Sequence, residues 1–245
     1  MGIDDSKDKE VTFNGEHERR VVTSSEKNPK MSLIGSHTKL SVFSIYQRTK
    51  FGDSDRDGNP LMYALKNVFS YTISHREIYK LKPSFINILD KIEGEITTRN
   101  STLVVMPSSA KVVTFLANRI ARKFALPLHH NCFMKRTTSE VLDDFSIKKL
   151  PIKSSHKRDL NKTLSELRSL PKNTTFTMKK VPNKVRFYFS PWKMNPNFDM
   201  NKLHNKNIIL VDDLLSTGCT LNSAMSELSN YPVTCNTAIC LLSNL

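Results

Sequence analysis

Two adjacent carboxylates, Asp212 and Asp213, are followed after two apolar residues by the hydroxyl-rich run Ser216-Thr217-Gly218-Cys219-Thr220. These are the residues best equipped for chemistry. A turn entering a helix offers unsatisfied backbone N–H groups and the positive end of the helix dipole, and with hydroxyls added it suits a phosphate monoester. The aspartates cannot bind that phosphate, since like charges repel. They can accept hydrogen bonds from vicinal sugar hydroxyls on the same ligand, and charge-assisted bonds are the stronger kind. A sugar 5-phosphate satisfies both halves of the motif.

The elements that must position these groups are legible around them. Ile208, Ile209, Leu210 and Val211 show no alternation, which is how a strand buried on both faces of a parallel sheet reads, and the aspartates fall at its carboxyl end. In open α/β sheets ligands bind at that edge. After the turn, Leu221, Ala224, Met225 and Leu228 share one helix face. The arrangement repeats upstream: Leu103 to Met106 make a short buried strand, MPSSAK a turn, and Val113, Leu116, Ala117, Ile120 and Phe124 a helix stripe that ends before Pro127. Two strand-turn-helix units imply an α/β fold with a mainly parallel sheet flanked by helices.

Elsewhere KLSVFSIYQR (39–48) reads as a strand, and LMYALKNV and PSFINILDKI as helices. LNKTLSELRSL reads as a helix, while VRFYF (185–189) and TAICLL (237–242) read as strands. Residues 1–31 are polar and mixed in charge, so a disordered tail is expected there. Residues 32–100 then form an amino-terminal hood and 101–245 the core.

VDDLLSTGCT resembles the phosphoribosyl pyrophosphate (PRPP) signature of the type I phosphoribosyltransferases: a hydrophobic strand, two acids, two apolar residues, then hydroxyl-Thr-Gly-x-Thr. The resemblance is nearest to the ComF-like, competence-associated branch, because VVMPSSAK stands where the family has its pyrophosphate loop. It departs from that branch in lacking an amino-terminal zinc module, since residues 1–100 hold no cysteine. The resemblance implies that Asp212 and Asp213 accept from the ribose hydroxyls and that Ser216, Thr217, Gly218, Cys219 and Thr220 hold the 5-phosphate. Ser108, Ser109, Ala110 and Lys111 would cradle the pyrophosphate, with Lys111 facing its departing charge. It implies Mg²⁺ as cofactor, bound mainly through ligand oxygens, and transfer of the phosphoribosyl group to a nucleobase or other acceptor with release of pyrophosphate. A mobile loop of the family would fall in residues 129–184, which hold Lys135, Arg136, Lys157 and Arg158.

The net charge of +14 is uneven: residues 111–190 hold eighteen Lys and Arg against five Asp and Glu, while residues 1–30 are at −1. Such a basic middle suits polyanionic partners and keeps open a second reading, a non-catalytic PRPP or nucleotide sensor or a nucleic-acid-associated protein. A second copy of the chain, as a homodimer, stands as a further candidate partner. Four cysteines without a CxxC pair suggest reduced thiols and a cytoplasmic setting, and no apolar run approaches the length that crosses a bilayer. The absence of GxxxxGK[ST] excludes a P-loop nucleotide triphosphatase. Asp53, Asp55, Asp57 and Gly58 match half of a calcium loop, but Ala64 stands where the bidentate Glu belongs. The alternative reading of the acidic motif is a strand ending in a capped helix.

Overall fold

The computed structural model describes residues 1–35, 38–49, 59–108 and 110–243. Ser109 and the DxDxDG stretch at 53–58 lie outside the described residues.

The chain opens on strands: β1 (Gly2–Asp5) pairs antiparallel with β2 (Glu10–Asn14), and β3 (Val21–Val22) and β4 (Lys30–Ile34) run antiparallel to β5 (Leu40–Arg48). This corrects the disordered tail expected for residues 1–31. The polar composition hides a few apolar residues at the right positions. Ile3, Val11 and Val21 are fully buried and join the same core cluster as Phe43, Ile45 and Leu61.

The chain continues with α1 (Pro60–Lys66), β6 (Thr72–Ile73), α2 (His75–Lys80) and α3 (Lys82–Glu95). Helix α1 has a defined start and stop. The Asn59 side chain accepts from the Leu61 amide at 3.0 Å, Pro60 presets the first turn, and Asn67 closes the helix in the left-handed region. The first strand-turn-helix unit follows as β7 (Ser101–Val105) and α4 (Val112–Phe124), then β8 (Leu128–His129). All five apolar residues of the α4 stripe are buried.

After β9 (Phe133–Lys135) come α5 (Thr138–Lys148) and α6 (Lys157–Arg168), then β10 (Trp192–Met194), which pairs with β9. The second unit is β11 (Asn207–Leu215) and α7 (Cys219–Leu228), and β12 (Thr234–Ser243) follows. Among the described residues the central sheet runs β3-β5-β12-β11-β7-β8, with β4 also on β5. Strands β5, β12, β11, β7 and β8 are parallel. One face packs on α3 and α4 and the other on α7, so the sheet is covered on both sides. Among the described residues no helix is long and apolar enough to cross a membrane.

Within the region read as a possible closing loop, 129–184, Cys132 and Phe133 join the core under α7, while residues from Val141 onward fold with residues up to 189 around a third cluster of their own, including Leu160, Leu164, Val185 and Tyr188. The strand expected at 185–189 is instead a 3-10 helix, Asn183–Tyr188. Val185, Tyr188 and Phe189 face that cluster, whereas Phe187 is 49% exposed, which breaks the alternation a strand would require. This cap is tied to the core by Arg136. Its guanidinium meets Asp144 of α5 at 2.9 Å and Glu227 of α7 at 3.2 Å, and Glu227 also accepts from the Met194 amide at 2.9 Å.

All three side chains are largely shielded, so Arg136→Ala leaves two carboxylates short of a donor. We expect it to destabilise the protein by about 2–4 kcal/mol, read as a lower urea midpoint with an unchanged slope. A midpoint equal to wild type would show that the tie contributes nothing.

Candidate functional site

Strand β7 pairs with β11 only as far as Val105 opposite Val211, and the Met106 amide makes the last contact, to the Val211 carbonyl at 2.9 Å. Beyond that point β7 turns away while β11 continues beside β12 to Leu215. The acid pair therefore lies inside the strand, two residues before its end, on a flank that β7 has left open. The connection through α4 carries the chain outward to β8, and the connection through α7 carries it the other way to β12. Chain reversal of this kind marks the switch point at whose carboxyl edge open sheets hold ligands.

The two carboxylates have different surroundings. Asp213 is buried at 7% exposure. Its Oδ2 is 2.7 Å from Lys66 Nζ and accepts from Ser108 Oγ at 3.3 Å. Asp212 is half-buried, and its Oδ1 accepts from the Asp213 amide at 2.9 Å. Desolvation, aided by the neighbouring Asp213 charge, pushes the Asp212 carboxyl up to about 7, against the opposing pull of the Asp213 N–H and Lys66. Cys240, opposite Asp212 on β12, is driven well above the ordinary thiol range by burial and by both aspartates. Burial also raises the Cys219 thiol, so neither cysteine offers a thiolate nucleophile at neutral pH.

The Ser216–Thr220 turn is shaped by one glycine. Gly218 sits at φ +72°, where side chains are strained, and a Cβ there would lie 2.8 Å from Ile34 Cδ1. It starts α7 without a side-chain cap, and the nearest substitute is a long 3.5 Å approach of the Cys219 amide to Thr217 Oγ1. The opening amides of α7 thus keep donor capacity for an anion. Ser216, Thr217, Gly218 and Thr220 line a cleft with Asp212, and Met178 and Arg186 of the cap form its far wall. Arg186 is anchored there by its Nε, which donates to the Val181 carbonyl at 2.9 Å.

At the other turn, Ser108 reaches the acid pair, and its hydroxyl also accepts from the Ala110 amide at 3.2 Å. Lys111 stands exposed immediately before α4 and forms no ion pair among the described residues, so it is not gathered to the aspartates. The cation that is gathered there, Lys66, comes from the end of α1. It escaped the sequence reading because nothing in LMYALKNV distinguishes it from any helix-terminal lysine. Met178 and Arg186 were missed for a related reason: VRFYF read as a strand gives Arg186 no direction toward the cleft. No family model matches the chain, and no curated protein matches it. Among the described residues no three His, Cys, Asp or Glu side chains cluster to hold a metal ion.

The elevated Asp212 carboxyl has a pH signature. Its folded value lies above the ordinary carboxylate value, so between about pH 4 and 7 the folded state retains a proton that the unfolded chain releases, and this group's contribution to stability falls as pH rises through that window. Asp212→Asn should remove that fall. Melting temperatures from pH 4 to 8 should show the variant gaining on wild type toward neutral pH, and a constant difference would contradict the assignment.

Proposed function

We propose that this chain is a phosphoribosyltransferase-like protein that binds PRPP with Mg²⁺ across the carboxyl edge of its sheet and transfers the phosphoribosyl group to a nucleobase or other acceptor. The observation that carries the reading is the Ser108–Asp213 hydrogen bond. It joins the turn after β7 to the acid pair of β11 across the switch point, so that two anion-binding turns flank one pair of hydroxyl acceptors. A ligand with a phosphate at each end of a ribose has that pattern. The PRPP-type signature VDDLLSTGCT supports the same assignment.

In this reading the amides and hydroxyls of Ser216–Thr220 take the 5-phosphate, with the cationic Arg186 on the facing wall of the cleft. Asp212 and Asp213 accept from the ribose hydroxyls, and an incoming hydroxyl donor favours the ionised form of Asp212, so binding releases a proton. Lys66 pairs with the buried Asp213 at 2.7 Å and places its ammonium next to Ser108 and its turn. The chain offers one carboxylate already paired with Lys66 and one neighbour. That donor set fits Mg²⁺ held mostly by ligand oxygens, with few protein ligands. When bound, Mg²⁺ supplies charge neutralisation to the pyrophosphate. The contribution of these residues is to orient the anomeric carbon and to surround the leaving group with donors, which is where positioning and electrostatics lower such barriers.

Titration calorimetry with PRPP, with and without Mg²⁺, tests the reading. Wild type should bind in a Mg²⁺-dependent manner, with a heat that varies with the ionisation enthalpy of the buffer because a proton is released. Asp212→Asn/Asp213→Asn should abolish binding, and Lys66→Gln should weaken it roughly tenfold, the size of one charge-assisted contact. Absence of PRPP binding in wild type, or binding indifferent to the aspartates, would reject the proposal.

A further inference from the structure

The chain's positive charge is densest in the cap. Residues 141–190 hold twelve Lys and Arg against four Asp and Glu, +8 of the chain's +14. They fold around the third cluster, which draws their apolar side chains inward. Lys149, Lys153, Lys157, Arg158, Lys179 and Lys180 are all exposed, and none of the six forms an ion pair with a carboxylate among the described residues. A solvated charged face would show no more than this.

The cap also carries an aromatic platform. Phe187, 49% exposed, lies with its ring centroid 4.0 Å from that of buried Tyr188 and 5.6 Å from that of His156, which meets it edge-on at 67°. The Tyr188 hydroxyl fixes the surroundings: it accepts from the Lys153 amide at 3.2 Å and lies 3.1 Å from His156 Nδ1. Lys157 and Arg158 follow directly at the start of α6. One exposed ring is thus backed by a buried one, and the segment that packs beside it carries Lys153, Lys157 and Arg158.

An exposed ring with surrounding cations is the arrangement that binds single-stranded nucleic acid: a base stacks on the ring while phosphates follow the basic rim. We infer that the cap is a binding surface for single-stranded nucleic acid, with Phe187 as the stacking platform and Lys153, Lys157 and Arg158 as phosphate contacts. The inference does not depend on the phosphoribosyl reading, although the two sites adjoin, since Arg186 lines the phosphate cleft and Phe187 is the next residue. Exposed Ile147, Leu150 and Ile152 near the same lysines raise an anionic lipid surface as the competing partner. The ring platform favours nucleic acid, because lipid headgroups offer no planar face to stack on it.

The test is fluorescence anisotropy with a labelled single-stranded oligonucleotide of about 12 nucleotides, titrated at several salt concentrations, beside vesicles containing phosphatidylserine. Wild type should bind the oligonucleotide with an affinity that falls as salt rises. Phe187→Ala should weaken it roughly five- to a hundredfold with the salt slope unchanged, and Phe187→Trp should retain it. Lys153→Gln/Lys157→Gln should lower the slope by about two. Asp212→Asn/Asp213→Asn should bind the oligonucleotide like wild type, which separates this site from the phosphate cleft. No oligonucleotide binding at low salt, equal binding by Phe187→Ala, loss of binding in the aspartate variant, or binding to the vesicles alone would each overturn the assignment.

Discussion

A buried carboxylate without a counter-charge is among the costlier things a fold can contain, and Asp213 avoids that state through a single oxygen. Its Oδ2 takes both the Lys66 ammonium and the Ser108 hydroxyl. That junction draws together three parts of the chain that share no local sequence: the end of helix α1, the turn after β7, and the carboxyl end of β11. Asp212 completes the arrangement. It shares the desolvated edge but has only a backbone donor close by, so it holds its proton toward neutral pH. The site thus rests with Asp213 paired to Lys66 and with the Asp212 carboxyl raised toward neutral pH.

What was legible in the sequence was what local periodicity encodes. The unbroken apolar run 208–211 and the helical stripes of α4 and α7 each specify burial within a few residues, and they place the two turns at the carboxyl edge of a parallel sheet. Residues 1–31 were misread because four short strands need only a few apolar anchors, and Ile3, Val11 and Val21 are diluted among polar neighbours that face solvent. The 185–189 segment was misread because apolar residues at i and i+2 imitate a strand, whereas Val185, Tyr188 and Phe189 are the residues that pack and Phe187 faces out. Lys66 and Arg186 were invisible for a different reason. Each reaches the site across a long sequence separation, and no spacing rule links a helix-terminal lysine at 66 to a carboxylate at 213.

The cap changes how the basic middle of the chain is understood. Its third cluster makes residues 141–189 a packed body and not a free loop, and the Arg136–Glu227 contact fastens that body to the helix that begins at the Ser216–Thr220 turn. Arg186 and Phe187, neighbours on one 3-10 helix, then serve two surfaces: the cleft within and the cationic face without.

The central claim is that two turns and one acid pair form a single site for a ribose bearing a phosphate at each end. The most direct measurement is a crystal structure of the protein with PRPP and Mg²⁺. The account predicts the 5-phosphate on the Ser216–Thr220 amides, the ribose hydroxyls at Asp212 and Asp213, and the pyrophosphate beside Ser108 with the Lys66 ammonium turned toward it. Ligand bound elsewhere, or seated at the edge with its hydroxyls away from both aspartates, would contradict it.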